Sequence, residues 1–316
     1  MAVSAVLVVT LMCASAVFSI AAQQSKQPAA AAPAGQKGFS TAKEAADALI
    51  KASENYDVAA LKEIFGPDGE DLVSSEDPVQ DKNRSQAFFA MAKEKQSLTK
   101  DASNSNRVTL VVGNEDWPLP IPIVKKEGKW YFDSKAGHDE ILYRRIGTNE
   151  LNAIEVCRGF VEAQKEYASK VHDDSGINQY AQRLISTPGK QDGLYWEDKD
   201  GTPAGPVSKG VAQAIDKGYT LDKGSVYSGY YFRLLKGQGP AAPLGELDYM
   251  IKGMMIGGFA LVAFPAEYKV TGVKTFIVSH DGIVYEKDLG PDTLNVAKAM
   301  ERYNPDKTWH RTDDQW

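Results

Sequence analysis

The sequence predicts an α+β protein of two domains, each with helices packed on an antiparallel sheet. Segments with helical spacing are followed by segments of period two, and that order occurs twice along the chain. The 316 residues exceed what one hydrophobic core normally holds. The 43% hydrophobic and 25% charged residues are the mix of a chain that folds, not one that stays disordered.

In the first half, Ser40 or Thr41 can cap a helix through AKEAADALIKAS, with Ala45, Ala48, Leu49 and Ala52 on one face. Asp57 starts a second, DVAALKEIF, and a third is expected from Arg84 to Leu98. The period then becomes two. Val108, Leu110 and Val112 alternate, as do Ile121 and Ile123, and Lys126-Glu127-Gly128 turns the chain into Lys129–Asp133. Pro118, Pro120 and Pro122 lack the N–H a central strand donates, so WPLPIPIV is placed at a sheet edge or just before a strand.

Residues 144–148, RRIGT, are expected to join this half to a long helix ending near Val171. Leu151, Ile154, Cys157, Val161 and Ala168 form its apolar stripe, and Glu150 suits its N-terminal dipole. An irregular stretch over about 186–228 follows, too long for a plain connection. Four strands, Gly229–Leu235, Gly257–Phe264, Val273–Ser279 and Ile283–Asp288, then lead to a last helix within LNVAKAMERY.

The N-terminus carries the uncharged run AVLVVTLMCASAVFSI, with Ser19 and Ala21 in the small-x-small pattern of a cleaved secretory signal peptide. A retained anchor is the alternative. The predicted plan is therefore a signal peptide at 1–22 and a disordered Ala/Pro/Gln linker at 23–38. An N-terminal cone-like domain follows at 39–146 and a C-terminal domain at 147–311. A secreted or periplasmic protein with no membrane span after signal-peptide removal is expected. Beyond the signal peptide Cys157 is the only cysteine, so no internal disulfide forms. The net charge of −6 argues against nucleic acid, whose phosphates call for a basic surface.

The stretch VSHDGIVYEKDLG places Ser279, His280 and Asp281 side by side. Adjacent strand residues point to opposite faces, so His280 cannot serve Ser279 as a base. Asp281-Gly282 between two apolar runs instead predicts a hairpin with a type I′ turn. The histidines show no zinc spacing, and no metal or cofactor is expected. The aromatics Tyr195, Trp196, Tyr227, Tyr230, Tyr231, Phe232 and Tyr249 crowd one third of the chain. They read either as a sheet face covered by the long loop or as a contact surface for a partner or glycan. The candidate binding surface is Lys190, Asp192, Tyr195, Trp196, Tyr230 and Arg233.

The runs RRIGTNELNAIEVCRGFVEAQKEYA, LISTPGKQDGLYW, GYYFRLLKGQGPAAP and GGFALVAFPAEYKVTGVKTFIVSHDGIVYEKDLGPDT, with WPLPIP and GKWYFD earlier, resemble an uncharacterised secreted bacterial family. It is known as a domain of unknown function (family twenty-nine fifty). The resemblance implies export and brings no activity or catalytic residues. More faintly, the first half resembles nuclear-transport-factor-two-like domains, which often hold a pocket. The second half resembles the globular part of type IV pilins and pseudopilins. It does so through Asn149, Glu150, Ala153, Ile154, Ala163, Gln164 and Tyr167, then Thr271, Gly272, Thr275, Phe276, Val278, Asp281 and Gly282. Pilins polymerise through an apolar membrane helix joined to this one. Here another domain precedes it, so assembly by that route is not implied.

The leading functional expectation is a non-catalytic binding or assembly protein of the cell envelope, its partner an unknown envelope protein or glycan. An alternative is a hydrolase or isomerase with Asp116, Asp133 or His138 as acid or base in the N-terminal cone. A further one is an accessory of a pilin or type II secretion system.

Overall fold

The computed structural model describes residues 34–74, 77–173, 175–207 and 228–313. The signal peptide, most of the linker and Tyr227 lie outside the described residues. The chain is α+β and divides into two compact units between Asp133 and Ser134.

In the first unit, α1 (Ala42–Glu54) is capped by Thr41, whose hydroxyl accepts from the Glu44 N–H, and α2 (Val58–Phe65) is capped by Asp57. A short α3 (Glu70–Val73) precedes α4 (Pro78–Glu94). Helix α4 starts and stops earlier than expected: Asp77 caps it with Pro78 in its first turn, and Lys95 is already extended. The residues assigned to its end form β1 (Gln96–Lys100). That strand is polar and exposed except for half-buried Leu98, so it gives no apolar alternation to read.

Strands β2 (Arg107–Val112), β3 (Trp117–Pro118), β4 (Ile123–Lys126) and β5 (Lys129–Phe132) complete an antiparallel sheet of order β1-β2-β4-β5, with β3 branching from β2. The prolines fall in the branch and before Ile123, leaving β4 free to pair on both sides. Glu127 and Gly128, at φ +48° and +81°, make a two-residue turn between β4 and β5 with both φ positive. The core joins Ala45, Leu49, Ile64, Leu110, Val112 and Ile123, with Phe65 edge-on to Phe132 at 5.3 Å.

The second unit begins with α5, which runs unbroken from Ser134 to Tyr167. RRIGT is thus helix, not a linker, and the helix ends before Val171. Its first turns hid in the sequence because Ile141 and Tyr143 are exposed and no apolar stripe continues through 134–148. Further along, Ala153, Cys157, Phe160, Val161, Gln164 and Tyr167 are buried. Burial pushes the Cys157 thiol up to about 12, against a small opposing effect of Arg158, so it is a packing residue and not a reactive thiolate.

Strands β6 (Arg183–Ile185), β7 (Gly193–Glu197) and β8 (Pro203–Ala204) form a small sheet inside the stretch read as irregular. Then come β9 (Tyr230–Leu235) and the short pairs β10 (Gly237–Gln238) with β11 (Leu247–Asp248) and β12 (Met250–Ile251) with β13 (Met254–Met255). The main sheet has the order β17-β16-β15-β14-β9, all antiparallel. Its strands are β14 (Ala260–Pro265), β15 (Lys274–Ser279), β16 (Val284–Asp288) and β17 (His310–Arg311). Every residue of β14 is buried. That follows from cover on both faces, by α5 and by α6 (Thr293–Ala299).

The β15–β16 hairpin forms, but its turn is not the expected type I′. Val278 is paired with Val284, leaving five residues in the loop, and only Gly282 has positive φ, at +80°. The Gly282 N–H reaches the Ser279 carbonyl, and the Asp281 carboxylate accepts from the Ile283 N–H. Ser279 is buried at the strand end, and Asp281 receives the Tyr303 hydroxyl at 3.4 Å.

Helix and sheet are tied at one point. The Glu150 carboxylate accepts the Val273 and Lys274 N–H groups at 2.8 and 3.0 Å, and the Asn149 amide donates to the Thr271 carbonyl at 2.8 Å. Glu150→Ala is therefore expected to destabilise this unit by about 1.5–3 kcal/mol, the range for a hydrogen bond to a charged group. The measurement is its urea midpoint, with Glu150→Gln intermediate. Gly282→Val, which forces a branched residue into left-handed backbone, is expected to cost about 1–2 kcal/mol. An unchanged midpoint for either variant would remove the role given to that residue.

Candidate functional site

A groove of about 720 Å³ lies between the 186–191 loop and the edge of β7. Ile185, Pro188, Tyr195 and Trp196 supply its apolar part, while Thr187, Gln191, Lys190, Lys199, Glu197 and Asp198 supply polar groups.

The loop is built by local hydrogen bonding. The Asp192 carboxylate accepts from the Thr187 N–H at 2.7 Å and the Thr187 hydroxyl at 2.8 Å, closing the loop at its base. Burial raises the Asp192 pKa, but the two Thr187 bonds and Arg183 outweigh it, so the carboxyl is held below the usual range. Gly189 takes φ +77° at the tip. A Cβ on Gly193 would stand 2.6 Å from the Ser186 nitrogen, so only glycine lets β6 and the loop lie this close. The Gly193 N–H donates to Ser186 Oγ at 2.9 Å.

Behind the loop stands an aromatic stack. The Tyr167 and His172 rings lie parallel with centroids 4.0 Å apart, and His172 meets Trp196 at 5.2 Å. The Tyr167 hydroxyl donates to the Gln191 carbonyl, while His172 Nε2 lies 2.9 Å from the Tyr167 carbonyl oxygen and Nδ1 3.2 Å from Gln191 Oε1. Burial, with Asp173 and Asp192 nearby, pushes the Tyr167 phenol up to about 12, so it stays a hydrogen-bond donor. Gly205 lies against the Trp196 indole, where a Cβ would come within 2.9 Å of the ring. Trp196 is half-buried, fixed from behind and open to the groove. Tyr195 is 4% exposed, and its hydroxyl donates to Glu197 at 2.8 Å.

Of the six residues expected to form a surface, the structure brings Lys190, Tyr195 and Trp196 to the groove and places Asp192 in its supporting loop. Tyr230 and Arg233 are elsewhere, on β9. Tyr230 is fully buried, its hydroxyl donating to the Lys274 carbonyl at 2.8 Å, and burial together with the Glu150 and Glu286 carboxylates raises its pKa. Arg233 donates to the carbonyls of Ala297 and Met300 at the end of α6, a structural cap. Tyr230 is thus closed off from solvent, while Arg233, half-buried, lines a separate pocket of about 310 Å³ with Asp248, Glu301 and Arg302.

Of the alternative trio, Asp116 and Asp133 belong to the first unit and His138 to the second. Asp116 sits in the β2–β3 turn at φ +54° and pairs with Lys95 at 2.7 Å. Asp133 follows β5, its N–H on the Pro122 carbonyl, at a different height along the sheet. His138 lies on α5, in the second unit. Among the described residues there is no cluster of three or more His, Cys, Asp or Glu suited to a metal, and no helix is long and apolar enough to cross a membrane.

Sequence reading missed His172, Gln191 and Gly205. Nothing local marks them, since each matters only through what lies against it. The A-Q-x-x-Y spacing did carry a signal, because Tyr167 points into this stack and Gln164 clasps Ala181 through both its amide atoms.

The lowered Asp192 pKa sets the sign of a pH effect. Its stabilisation of the loop is complete above the unfolded carboxyl value of about 3.9 and is lost as pH falls through the lower folded value. Trp196 emission should stay native down to that range and change on further acidification, and Asp192→Asn should show the changed emission already at neutral pH. Native emission for that variant would mean that the carboxylate does not hold the loop.

No curated protein and no solved structure matches the chain. Residues 36–312 match the model of the family described as Protein of unknown function (DUF2950), and on that match, which spans both units, the chain belongs to this family.

Proposed function

We propose that the chain is an exported protein that works by binding at the cell envelope, with the Trp196 groove as its contact site. The observation that carries this reading is a half-buried tryptophan held rigid by Gly205, His172 and Tyr167 at the floor of a groove with a polar rim. An aromatic ring immobilised before binding offers contact area at small entropic cost, and the rim fixes orientation. The apolar N-terminal run with Ser19 and Ala21 supports export. Among the described residues that line the groove there is no histidine or cysteine, and its two acids, Glu197 and Asp198, are consecutive.

The test compares wild type with Trp196→Ala in retention on solubilised envelope fractions and on immobilised cell-wall glycan. Circular dichroism controls for folding. The variant should be retained at least about tenfold less strongly, equivalent to about 1.4 kcal/mol. Equal retention of a folded Trp196→Ala would sink the assignment of the groove.

A further inference from the structure

Much of the backbone around the Trp196 groove is already engaged within the protein. The Thr187 N–H goes to the Asp192 carboxylate at 2.7 Å, and the Lys190 N–H to the Thr187 carbonyl at 2.9 Å. The Asp198 N–H goes to the Thr202 carbonyl at 2.9 Å. A cradle for phosphate is made of successive backbone N–H groups aimed outward, and those of Thr187 and Lys190 are turned inward. Strand β7 is the middle strand of its sheet, paired with β6 at Ile185↔Tyr195 and with β8 at Trp196↔Ala204. An extended peptide adds instead to an outer strand. Recognition in the groove therefore falls to side chains.

Those side chains balance in charge. Lys190 and Lys199 are offset by Glu197 and Asp198. An ion of either sign would meet a like charge beside the opposite one. An uncharged ligand rich in hydroxyls meets no such conflict, because ammonium groups donate, carboxylates accept and the Gln191 amide does both. The apolar element is a flat one. Gly205 lies against the six-membered ring of the Trp196 indole, where a Cβ would come within 2.9 Å, and Tyr167 meets the indole edge-on at 6.3 Å. The side toward the groove stays open. A pyranose has C–H groups on its faces and hydroxyls around its rim, so it can cover the indole and still bond to the polar groups. A purely aliphatic anchor would desolvate those groups without replacing their hydrogen bonds. The volume of about 720 Å³ is that of a small-ligand site.

We infer that the groove binds an uncharged oligosaccharide, one pyranose ring lying on the Trp196 indole and its hydroxyls held by Lys190, Gln191, Glu197, Asp198 and Lys199. This rests on the groove reading above and names its ligand class. Glu197 already accepts the Tyr195 hydroxyl at 2.8 Å. That bond orients the carboxylate before binding and leaves it lone pairs for a sugar hydroxyl.

Titration of the purified chain with cellotetraose, maltotetraose and N-acetylchitotetraose, followed by calorimetry and tryptophan emission, tests this. At least one of these sugars should bind and change the emission. Trp196→Ala should weaken that binding at least about tenfold and abolish the emission change. Trp196→Phe, which keeps a ring, should lie between. Lys190→Ala, at an exposed loop position, should weaken binding about threefold with the fold intact. Raising sodium chloride from about 0.05 to 0.5 M should alter the affinity less than about twofold, since the ligand carries no charge to screen. The inference is overturned if none of the three sugars binds, if binding is indifferent to Trp196→Ala and Lys190→Ala, or if inorganic phosphate or polygalacturonate binds more tightly in the groove with steep loss in salt. If no sugar binds while Trp196 still governs retention on envelope material, and protease treatment of that material abolishes the retention, the glycan inference falls and the groove reading stands. Sugar binding and envelope retention both indifferent to a folded Trp196→Ala would remove both.

Discussion

The Glu150 carboxylate, set between the N–H groups of Val273 and Lys274 with the Tyr230 hydroxyl beside it, is the constraint from which the second unit is organised. A carboxylate accepting two backbone N–H groups fixes the start of β15 to one height along α5. From there the register Lys274↔Asp288 and Ala260↔Ser279 follows, and with it the position of every side chain across the sheet. The fit leaves no latitude. A Cβ on Gly272 would run into the Tyr230 hydroxyl, and one on Gly229 would lie 2.6 Å from the Asn149 amide. The same helix repeats the device twice toward its C-terminus. Gln164 holds the backbone of Ala181, and Tyr167 holds Gln191. One face of α5 thus buries apolar groups, while its polar members set where the irregular chain must pass.

The aromatic third of the sequence divides by the same logic. Tyr230, Tyr249 and Tyr303 are fully buried, and burial raises the pKa of each. Each hydroxyl has a partner: the Lys274 carbonyl, the Gln238 amide oxygen and the Asp281 carboxylate. A buried phenol with a satisfied hydroxyl contributes its ring to the core and its oxygen to specificity of packing. Trp196 differs because its strand, β7, belongs to a small sheet of three strands and leaves one side of the indole open. It is this difference in cover, not residue type, that separates core aromatics from the candidate contact.

The groove and the 239–246 turn both rest on backbone that only particular residues permit. The groove depends on Gly193 and Gly205, where a side chain would collide with neighbouring backbone. The 239–246 turn depends on Gly239, where a Cβ would strike Asn304 at 2.6 Å, and on Gln238, buried to serve two carbonyls. The elements that hold both are heavily hydrogen-bonded.

Much of this was legible in the sequence by itself. The helix caps at Thr41 and Asp57, the strands of the main sheet, the buried Cys157 and the family were determined locally, by spacing, capping chemistry and motif. The strands β9, β14 and β15 are largely apolar runs bounded by turn residues, and such runs declare themselves. What stayed hidden were elements without an apolar signal: the polar edge strand Gln96–Lys100, and the first turns of α5, where Ile141 and Tyr143 face outward. The turn at Asp281-Gly282 shows the limit of a local rule, because the pairing of Val278 with Val284 sets a five-residue loop and leaves Asp281 with negative φ. The candidate site was half visible. Lys190, Asp192, Tyr195 and Trp196 lie close in sequence and meet, while Tyr230 and Arg233, equally plausible by type, were drawn into the core and onto the end of α6. Only the tertiary structure decided between them, because whether a tyrosine or arginine is surface or support depends on which element lies across from it, and that is fixed by contacts between residues far apart in the chain.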